Sequence, residues 1–85
     1  MKKKNIIITG ANRGLGLFLA ERFAKEGHNI FLLSRKKIRS QKLKNTINYN
    51  QKVSYGKLDL ESKKDILKIS KQIKKKFKNV DILIN

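Results

Sequence analysis

The sequence of 85 residues contains no cysteine and a single histidine, His28. The absence of cysteine excludes disulfide bonds, cysteine zinc sites and thiol catalysis, and one histidine excludes a histidine cluster. Proline and tryptophan are absent as well. The first apolar run, residues 6–8, is too short for the core of a signal peptide or for a membrane span. We therefore predict a cytoplasmic protein with no membrane partner and no metal site, and we interpret His28 as a surface residue.

Acidic residues are also few, at 6 against 22 lysines and arginines, so the formal net charge is +16. A charge of this size attracts nucleic acid and anionic membranes at low salt. However, 18 of the 22 are lysines, and they follow the polar faces of the predicted helices. Base-specific readout favours arginine and stacked aromatic side chains. We interpret the charge as a solvated basic surface without a specific nucleic-acid partner, with nucleic-acid binding as an alternative.

Short apolar segments alternate along the chain with segments of helical periodicity. The first apolar segment is rich in β-branched residues and continuously apolar at its centre, which is typical of a strand buried on both faces of a parallel sheet. The predicted strands are residues 5–9, 29–33, 53–58 and 80–84, and the predicted helices are residues 15–26, 36–47 and 61–78. This β-α-β-α-β-α-β order predicts the α/β class, with a parallel sheet and right-handed crossovers.

The apolar residues of two predicted helices recur at a spacing that is typical of a face packed on a core. In the first helix Leu15, Leu19 and Phe23 form one apolar stripe, and Gly27 occupies the position of a C-terminal cap. The stripe of the third helix consists of Ile66, Ile69, Ile73 and Phe77.

Residues 10–16 form a turn with three glycines between the first strand and the first helix. In a parallel βαβ unit this turn lies where free backbone N–H groups and the helix dipole favour an anion such as a diphosphate. We expect Gly10 to allow the sharp exit from the strand, Gly14 to let the backbone approach a ligand, and Gly16 to let the helix pack closely on the strand. The alternative is an ordinary glycine-rich turn.

The segment Thr9-Gly10-Ala11-Asn12-Arg13-Gly14-Leu15-Gly16 resembles the Thr-Gly-x3-Gly-x-Gly motif of the short-chain dehydrogenase/reductase family. Asp59-Leu60 is similar to the Asp-hydrophobic pair that lies beside the adenine in that family. Residues 81–85 are similar to the strand that leads into the family's Asn-Asn-Ala-Gly motif. The resemblance extends over residues 5–85 and implies the N-terminal part of a Rossmann fold.

This resemblance also implies a set of cofactor contacts. The diphosphate side is expected at Gly10, Asn12, Arg13, Gly14, Leu15 and Gly16, the 2′-phosphate at Ser34 and Arg35, the adenine at Asp59 and Leu60, and the wall near the ribose and nicotinamide at Asn85. As alternatives, Arg35 and Lys36 begin a solvated helix, and Asp59 caps the turn that follows it.

The end of the second predicted strand indicates which nicotinamide cofactor is preferred. An acidic residue there accepts hydrogen bonds from a ribose 2′-hydroxyl and repels a 2′-phosphate, but this chain has Ser-Arg-Lys-Lys at residues 34–37. Arg35 can pair with a phosphate through its planar fork, and Ser34 can donate its hydroxyl. Arg13 resembles the second basic position of NADP-preferring members. We therefore predict NADP(H) in preference to NAD(H).

The family's catalytic tyrosine is followed four residues later by a lysine, and neither tyrosine of this chain fits that pattern. Tyr49 is followed at that distance by Val53, and Tyr55 by Asp59, so no residue is assigned as catalytic. The resemblance implies that residues 1–85 are a partial NAD(P)-binding domain that ends before the catalytic segment. The intact protein is expected to be a homo-oligomer that transfers a hydride between NADP(H) and a carbonyl or alcohol, for example a 3-oxoacyl thioester. The alternative is a non-catalytic nucleotide-binding module.

Overall fold

The computed structural model describes residues 3–48 and 50–85. Tyr49 lies outside these residues. The chain forms a four-stranded parallel sheet with helices on both faces. The sheet order is β3-β2-β1-β4, and every pairing is parallel. The predicted α/β class and element order are thus confirmed. The elements are β1 (Asn5–Thr9), α1 (Gly14–Lys25), β2 (Asn29–Ser34), α2 (Gln41–Thr46), β3 (Val53–Lys57), α3 (Lys63–Lys76) and β4 (Ile82–Ile84).

The core consists of two apolar layers, one on each face of the sheet. Ile6 and Ile8 of β1 pack in the layer formed with α1 and α2, whereas Ile7 packs in a second layer with Ile69 and Phe77. Successive side chains of a strand point to opposite faces, so a strand covered on both sides must be apolar at every position. The two layers therefore explain the uninterrupted apolar character of β1.

The end of α1 is closed by a glycine turn. Gly27 has φ +88° and donates its N–H to the Ala24 carbonyl at 3.0 Å, and His28 donates its N–H to the Phe23 carbonyl at 3.2 Å. These are the two bonds of a Schellman motif, so the predicted glycine cap is confirmed. The Gln51 side-chain amide also donates to the carbonyls of Ala24 and His28, at 2.9 and 2.8 Å. The turn after α1 is therefore tied to the segment that precedes β3.

His28 is buried, with 3% of its surface exposed, so its interpretation as a surface residue is wrong. Its Nδ1 accepts a hydrogen bond from the backbone N–H of Lys4 at 3.0 Å, and its Nε2 lies 3.7 Å from Oε1 of Glu26. The ring meets Phe23 edge to face, with centroids 5.9 Å apart. The side chain is buried because the glycine turn directs it towards the start of β1, a contact between residues 24 positions apart.

The second helix is shorter than the predicted range of residues 36–47 because it begins at a side-chain cap. The Ser40 hydroxyl accepts a hydrogen bond from the Leu43 N–H at 3.0 Å, which satisfies a free donor of the first turn. Residues 35–40 form a loop instead. Ile38 and Ile47 still pack on the core, although both lie outside the helix.

The third helix also begins later than predicted, at Lys63, because the Ser62 hydroxyl accepts from the Asp65 N–H at 3.1 Å. Its apolar stripe is only partly covered: Ile69 is buried, whereas Ile66 is 40% exposed.

The first helix and two strands also differ from the prediction. The apolar stripe of α1 predicted that Leu15 lies in the core, but Leu15 is 71% exposed. The strand β3 is one residue shorter than predicted, and β4 is two residues shorter.

Within residues 3–48 and 50–85, no helix combines the length and the apolar character needed to cross a membrane.

Candidate functional site

A cleft of about 830 Å³ opens where the carboxyl ends of the strands meet the start of α1. All eleven residues that the sequence predicted as cofactor contacts line it: Gly10, Asn12, Arg13, Gly14, Leu15, Gly16, Ser34, Arg35, Asp59, Leu60 and Asn85. In an open α/β sheet, ligands bind at this edge. The fold therefore brings together residues that are up to 75 positions apart in the sequence.

The glycine loop depends on two residues in the left-handed region. Gly10 has φ +62° and Gly14 has φ +59°, a conformation that strains any residue with a β-carbon. At Gly16 the constraint is space, because a β-carbon there would lie 2.4 Å from the Gly10 carbonyl oxygen. Ala11 donates its N–H to the Leu33 carbonyl at 3.2 Å, which fixes the loop to the end of β2. The positive φ of Gly10 agrees with the sharp exit from β1, and Gly16 lets α1 lie close to the loop that follows β1.

The N-terminus of α1 has no side-chain cap. Arg13 occupies the N-cap position in an extended conformation, its side chain makes no capping hydrogen bond, and the first turn contains no acidic residue. By contrast, Ser40 and Ser62 cap α2 and α3. The first N–H groups of a helix have no partner within it, and the helix dipole adds a partial positive charge there. The start of α1 therefore presents uncompensated donors to the cleft.

Basic side chains surround the end of β2. Arg35 and Lys36 are exposed and line the cleft, as does Arg13 on the glycine loop. None of the three takes part in an ion pair among the residues that the structure describes. Ser34 is buried, and its hydroxyl donates to the Lys36 carbonyl, so its predicted donor is engaged by the chain itself.

Beside the end of β2, at the carboxyl end of β3, Asp59 organises the turn before α3. Its Oδ1 accepts from the Glu61 N–H at 3.0 Å, its carbonyl accepts from the Ser62 N–H at 2.9 Å, and its N–H donates to Oδ2 of Asp65 at 3.1 Å. Asp59 therefore caps this turn, as the alternative interpretation stated, while it also lines the cleft. The neighbouring Leu60 is 67% exposed at the cleft rim.

The ends of β1 and β4 are joined by a threonine. The hydroxyl of Thr9 lies 3.3 Å from the Ile84 carbonyl and 3.2 Å from Oδ1 of Asn85, and it can donate to either. This contact holds Asn85 in the wall of the cleft. Thr9 was not predicted as a site residue, although it begins the glycine motif. The other lining residues absent from the prediction are Leu19, Leu33, Lys36, Leu58, Glu61 and Ile84.

The sequence model of the family described as short chain dehydrogenase matches residues 4–85. The chain belongs to the short-chain dehydrogenase family. Members of this family are oxidoreductases that bind nicotinamide dinucleotides and small-molecule substrates, and the Rossmann-type sheet described above agrees with this membership.

Proteins similar to this chain come from different organisms. Retinol dehydrogenase 13 of Mus musculus is 36% identical over 96% of this chain and 25% of its own length. The NADP-dependent 3-hydroxy acid dehydrogenase of Escherichia coli is 29% identical over 94% of this chain and 32% of its own length. The alcohol dehydrogenase of Thermococcus sibiricus, solved with 5-hydroxy-NADP, is 28% identical with a TM-score of 0.78, over 96% of this chain and 36% of that one. The chain thus spans about a third or less of the curated relatives named here.

Proposed function

We propose that this chain binds a nicotinamide dinucleotide, preferably NADP(H), in the cleft beside the start of α1. The observation that carries the proposal is the uncapped N-terminus of α1, which opens into a cleft lined by Arg13, Arg35 and Lys36. A dinucleotide with a 2′-phosphate needs donors for two separate anionic groups. The glycine loop and the end of β2 supply them at different points of the same cleft.

The diphosphate is assigned to the glycine loop. The left-handed conformations of Gly10 and Gly14 favour glycine, and since glycine has no β-carbon an anion can approach the N–H groups at the start of α1. Asn12 and Arg13 line the same part of the cleft and can add side-chain donors. Leu15, with its side chain 71% exposed, covers the ligand from the first turn of the helix.

The 2′-phosphate is assigned to Arg35, with Ser34 and Lys36 beside it. A guanidinium forms paired, charge-assisted hydrogen bonds with phosphate oxygens, which an NADH ribose does not offer. Two of the similar proteins support this choice, since the E. coli dehydrogenase is NADP-dependent by name and the T. sibiricus enzyme was solved with an NADP derivative.

The adenine is assigned to Asp59 and Leu60, and the ribose and nicotinamide side to Asn85. The bond from the Glu61 N–H fixes the Asp59 carboxylate, and exposed Leu60 offers an apolar surface at the rim. The bond between Thr9 and Asn85 holds the other end of the cleft. In this assignment the adenine end of the cofactor lies after β3, the diphosphate lies at the glycine loop, and the nicotinamide end lies after β4.

We further propose that the whole protein uses this cofactor to reduce a carbonyl or oxidise an alcohol. A hydride passes between nicotinamide C4 and the substrate carbon, a proton passes to or from the substrate oxygen, and NADPH becomes NADP⁺ in the reducing direction. A 3-oxoacyl thioester is one such substrate, and we propose a cytoplasmic homo-oligomer. No residue among 1–85 is assigned to the proton transfer. The alternative, a non-catalytic nucleotide-binding module, is favoured by the lack of a Tyr-x3-Lys pair in these residues.

Binding of NADPH and NADH to the unmodified chain and to Arg35→Asp tests the cofactor assignment by nicotinamide fluorescence. We expect Arg35→Asp to weaken NADPH binding by about ten-fold or more, because a charge-assisted pair is replaced by repulsion, and to change NADH binding little. Arg39→Asp is the matched control, since Arg39 is exposed on the same loop but does not line the cleft. NADPH affinity that is unchanged in Arg35→Asp, or reduced equally in Arg39→Asp, contradicts the assignment.

A further inference from the structure

A second pocket, of about 500 Å³, is lined by the loop 35–40, by α2 and by β3. Its floor is formed by Leu43 of α2 and by Tyr55 and Gly56 of β3. Tyr55 pairs in register with Leu32, so its side chain lies on the sheet face covered by α1 and α2. This pocket shares Ser34, Arg35 and Lys36 with the cofactor cleft, whereas Leu43, Tyr55 and Gly56 line only the second pocket. It is therefore a distinct place where a ligand can bind.

The pocket is lined by five cationic side chains and no acidic one. All five are exposed, and none takes part in an ion pair among residues 3–48 and 50–85. Like charges around a concave surface raise the local potential and attract an anion. The five are Arg35, Lys36, Lys37, Lys44 and Lys57.

The rest of the lining of the pocket is largely apolar, with one half-exposed aromatic ring, that of Tyr55. Ile38 and Leu43 line it from the loop and from α2, and the ring of Tyr55 lines it from β3. A volume of this size is within the range of small-molecule sites, which combine an apolar lining with a few polar groups. A bare inorganic anion makes no contact with this apolar lining, whereas a neutral apolar molecule forms no ion pair with the cationic side chains.

We propose that this pocket binds a small carboxylate with an apolar tail. The tail lies against Ile38, Leu43 and the ring of Tyr55, and the carboxylate faces Lys44 and Lys57. The phenol of Tyr55 is protonated at neutral pH and can donate to the carboxylate, and partial burial raises its pKa further. This inference goes beyond the proposed cofactor binding and does not depend on it.

Octanoate, a carboxylate with an apolar tail, is a suitable probe in a titration of the isotope-labelled chain followed by NMR. We expect saturable shifts of the Leu43, Tyr55 and Gly56 amides, with a Kd of about 1 mM for about ten non-hydrogen atoms. Octanamide, which keeps the tail and loses the charge, should bind at least about ten-fold more weakly. Equal binding of the two probes overturns the proposal, as does the absence of shifts at these amides.

Charge reversal locates the anion within the pocket. The variant Lys44→Glu/Lys57→Glu should weaken octanoate binding by about ten-fold or more, because two attractions become repulsions. The variant Lys71→Glu/Lys74→Glu makes the same change of net charge on exposed residues of α3, across the sheet, and should leave the affinity within about two-fold. An equal loss in both variants shows attraction to the overall charge and overturns the proposal.

Two further measurements keep the test decisive. Tyr55→Phe keeps the ring and removes the hydroxyl, so it should retain the fold and weaken octanoate binding several-fold. Unchanged affinity in this variant and in Lys44→Glu/Lys57→Glu together contradicts the assignment to this pocket. Shifts confined to residues 10–16 and reversed by NADPH also overturn it, because the carboxylate then occupies the cofactor cleft.

Discussion

Gly56 of β3 lies directly against Ile69 of α3, so that a β-carbon on Gly56 would be 2.6 Å from Cδ1 of Ile69. The same atom would be 2.9 Å from Cδ2 of Leu33 and 3.2 Å from Cε1 of Phe31. All three neighbours belong to the core layer beneath α3. This glycine therefore sets how closely the third helix approaches the sheet.

Gly56→Ala should lower the free energy of unfolding by about 1 kcal/mol, because an added methyl group must displace buried side chains. Chemical denaturation followed by circular dichroism measures the change. Lys57→Ala, at the next and exposed position of the same strand, should change stability by no more than about 0.5 kcal/mol. Equal stabilities of Gly56→Ala and the unmodified chain contradict the close contact.

Gly16→Ala should have a larger effect, because its β-carbon meets backbone rather than a movable side-chain end. The conflict with the Gly10 carbonyl at 2.4 Å forces α1 away from the end of β1. We expect a loss of about 2–3 kcal/mol in unfolding free energy, and loss of NADPH binding by the fraction that stays folded. Lys25→Ala, on the exposed last turn of the same helix, is the control and should leave both measurements nearly unchanged. Normal NADPH affinity in folded Gly16→Ala is incompatible with the assigned diphosphate position.

His28→Ala should lower the unfolding free energy by about 2 kcal/mol, since it leaves the Lys4 N–H without its acceptor and removes the ring that packs on Phe23. His28→Asn keeps a short side chain with an acceptor oxygen and should recover part of this loss. Thermal unfolding of the two variants separates the hydrogen bond from the packing. A loss below about 0.5 kcal/mol in His28→Ala is the result expected of a surface residue and contradicts the buried environment.

Tyr55 should titrate above its ordinary pKa of 10.0, because partial burial disfavours the phenolate. A pKa raised in the folded state means that the folded chain holds this proton to higher pH than the unfolded chain does. The contribution to stability is therefore complete below pH 10.0 and is lost as the pH rises through the folded pKa. Tyrosinate absorbance in a Tyr49→Phe background measures the midpoint, and Tyr49→Phe/Tyr55→Phe supplies the baseline. A midpoint at or below 10.0 contradicts the partial burial of the phenol.

Much of the fold was predictable because its signals are local. The alternation of β1 with α1, the three glycines of the turn and the Gly27 cap depend on residues within a few positions of one another. Ser40 is also a local signal for the start of α2, but the apolar residue Ile38 extended the predicted helix before it, and Phe77 extended the predicted third helix beyond its end. Ile38 and Phe77 pack on the core from outside the helices, so a pattern of apolar spacing extends beyond the helical backbone.

The exposure of particular side chains was not predictable from spacing. Leu15 and Ile66 belong to regular apolar stripes but remain largely or partly exposed, because neither packs in the two core layers. His28 gives the opposite case, since a polar residue in a turn became buried by contact with the start of β1. Burial depends on the docking of distant segments, which periodicity does not report.

The order of strands and helices and the glycine turn follow from residues read along the chain, and the eleven proposed cofactor contacts follow from the family resemblance of its motifs. Only the three-dimensional arrangement decided that these contacts line one cleft, that the Ser34 hydroxyl donates to its own loop, and that Asp59 caps a turn. It also decided that the loop 35–40, α2 and β3 line a second, basic pocket. The physical reason is that backbone conformation responds to neighbours a few residues away, whereas clefts and hydrogen-bond partners form between segments that meet only when the sheet assembles.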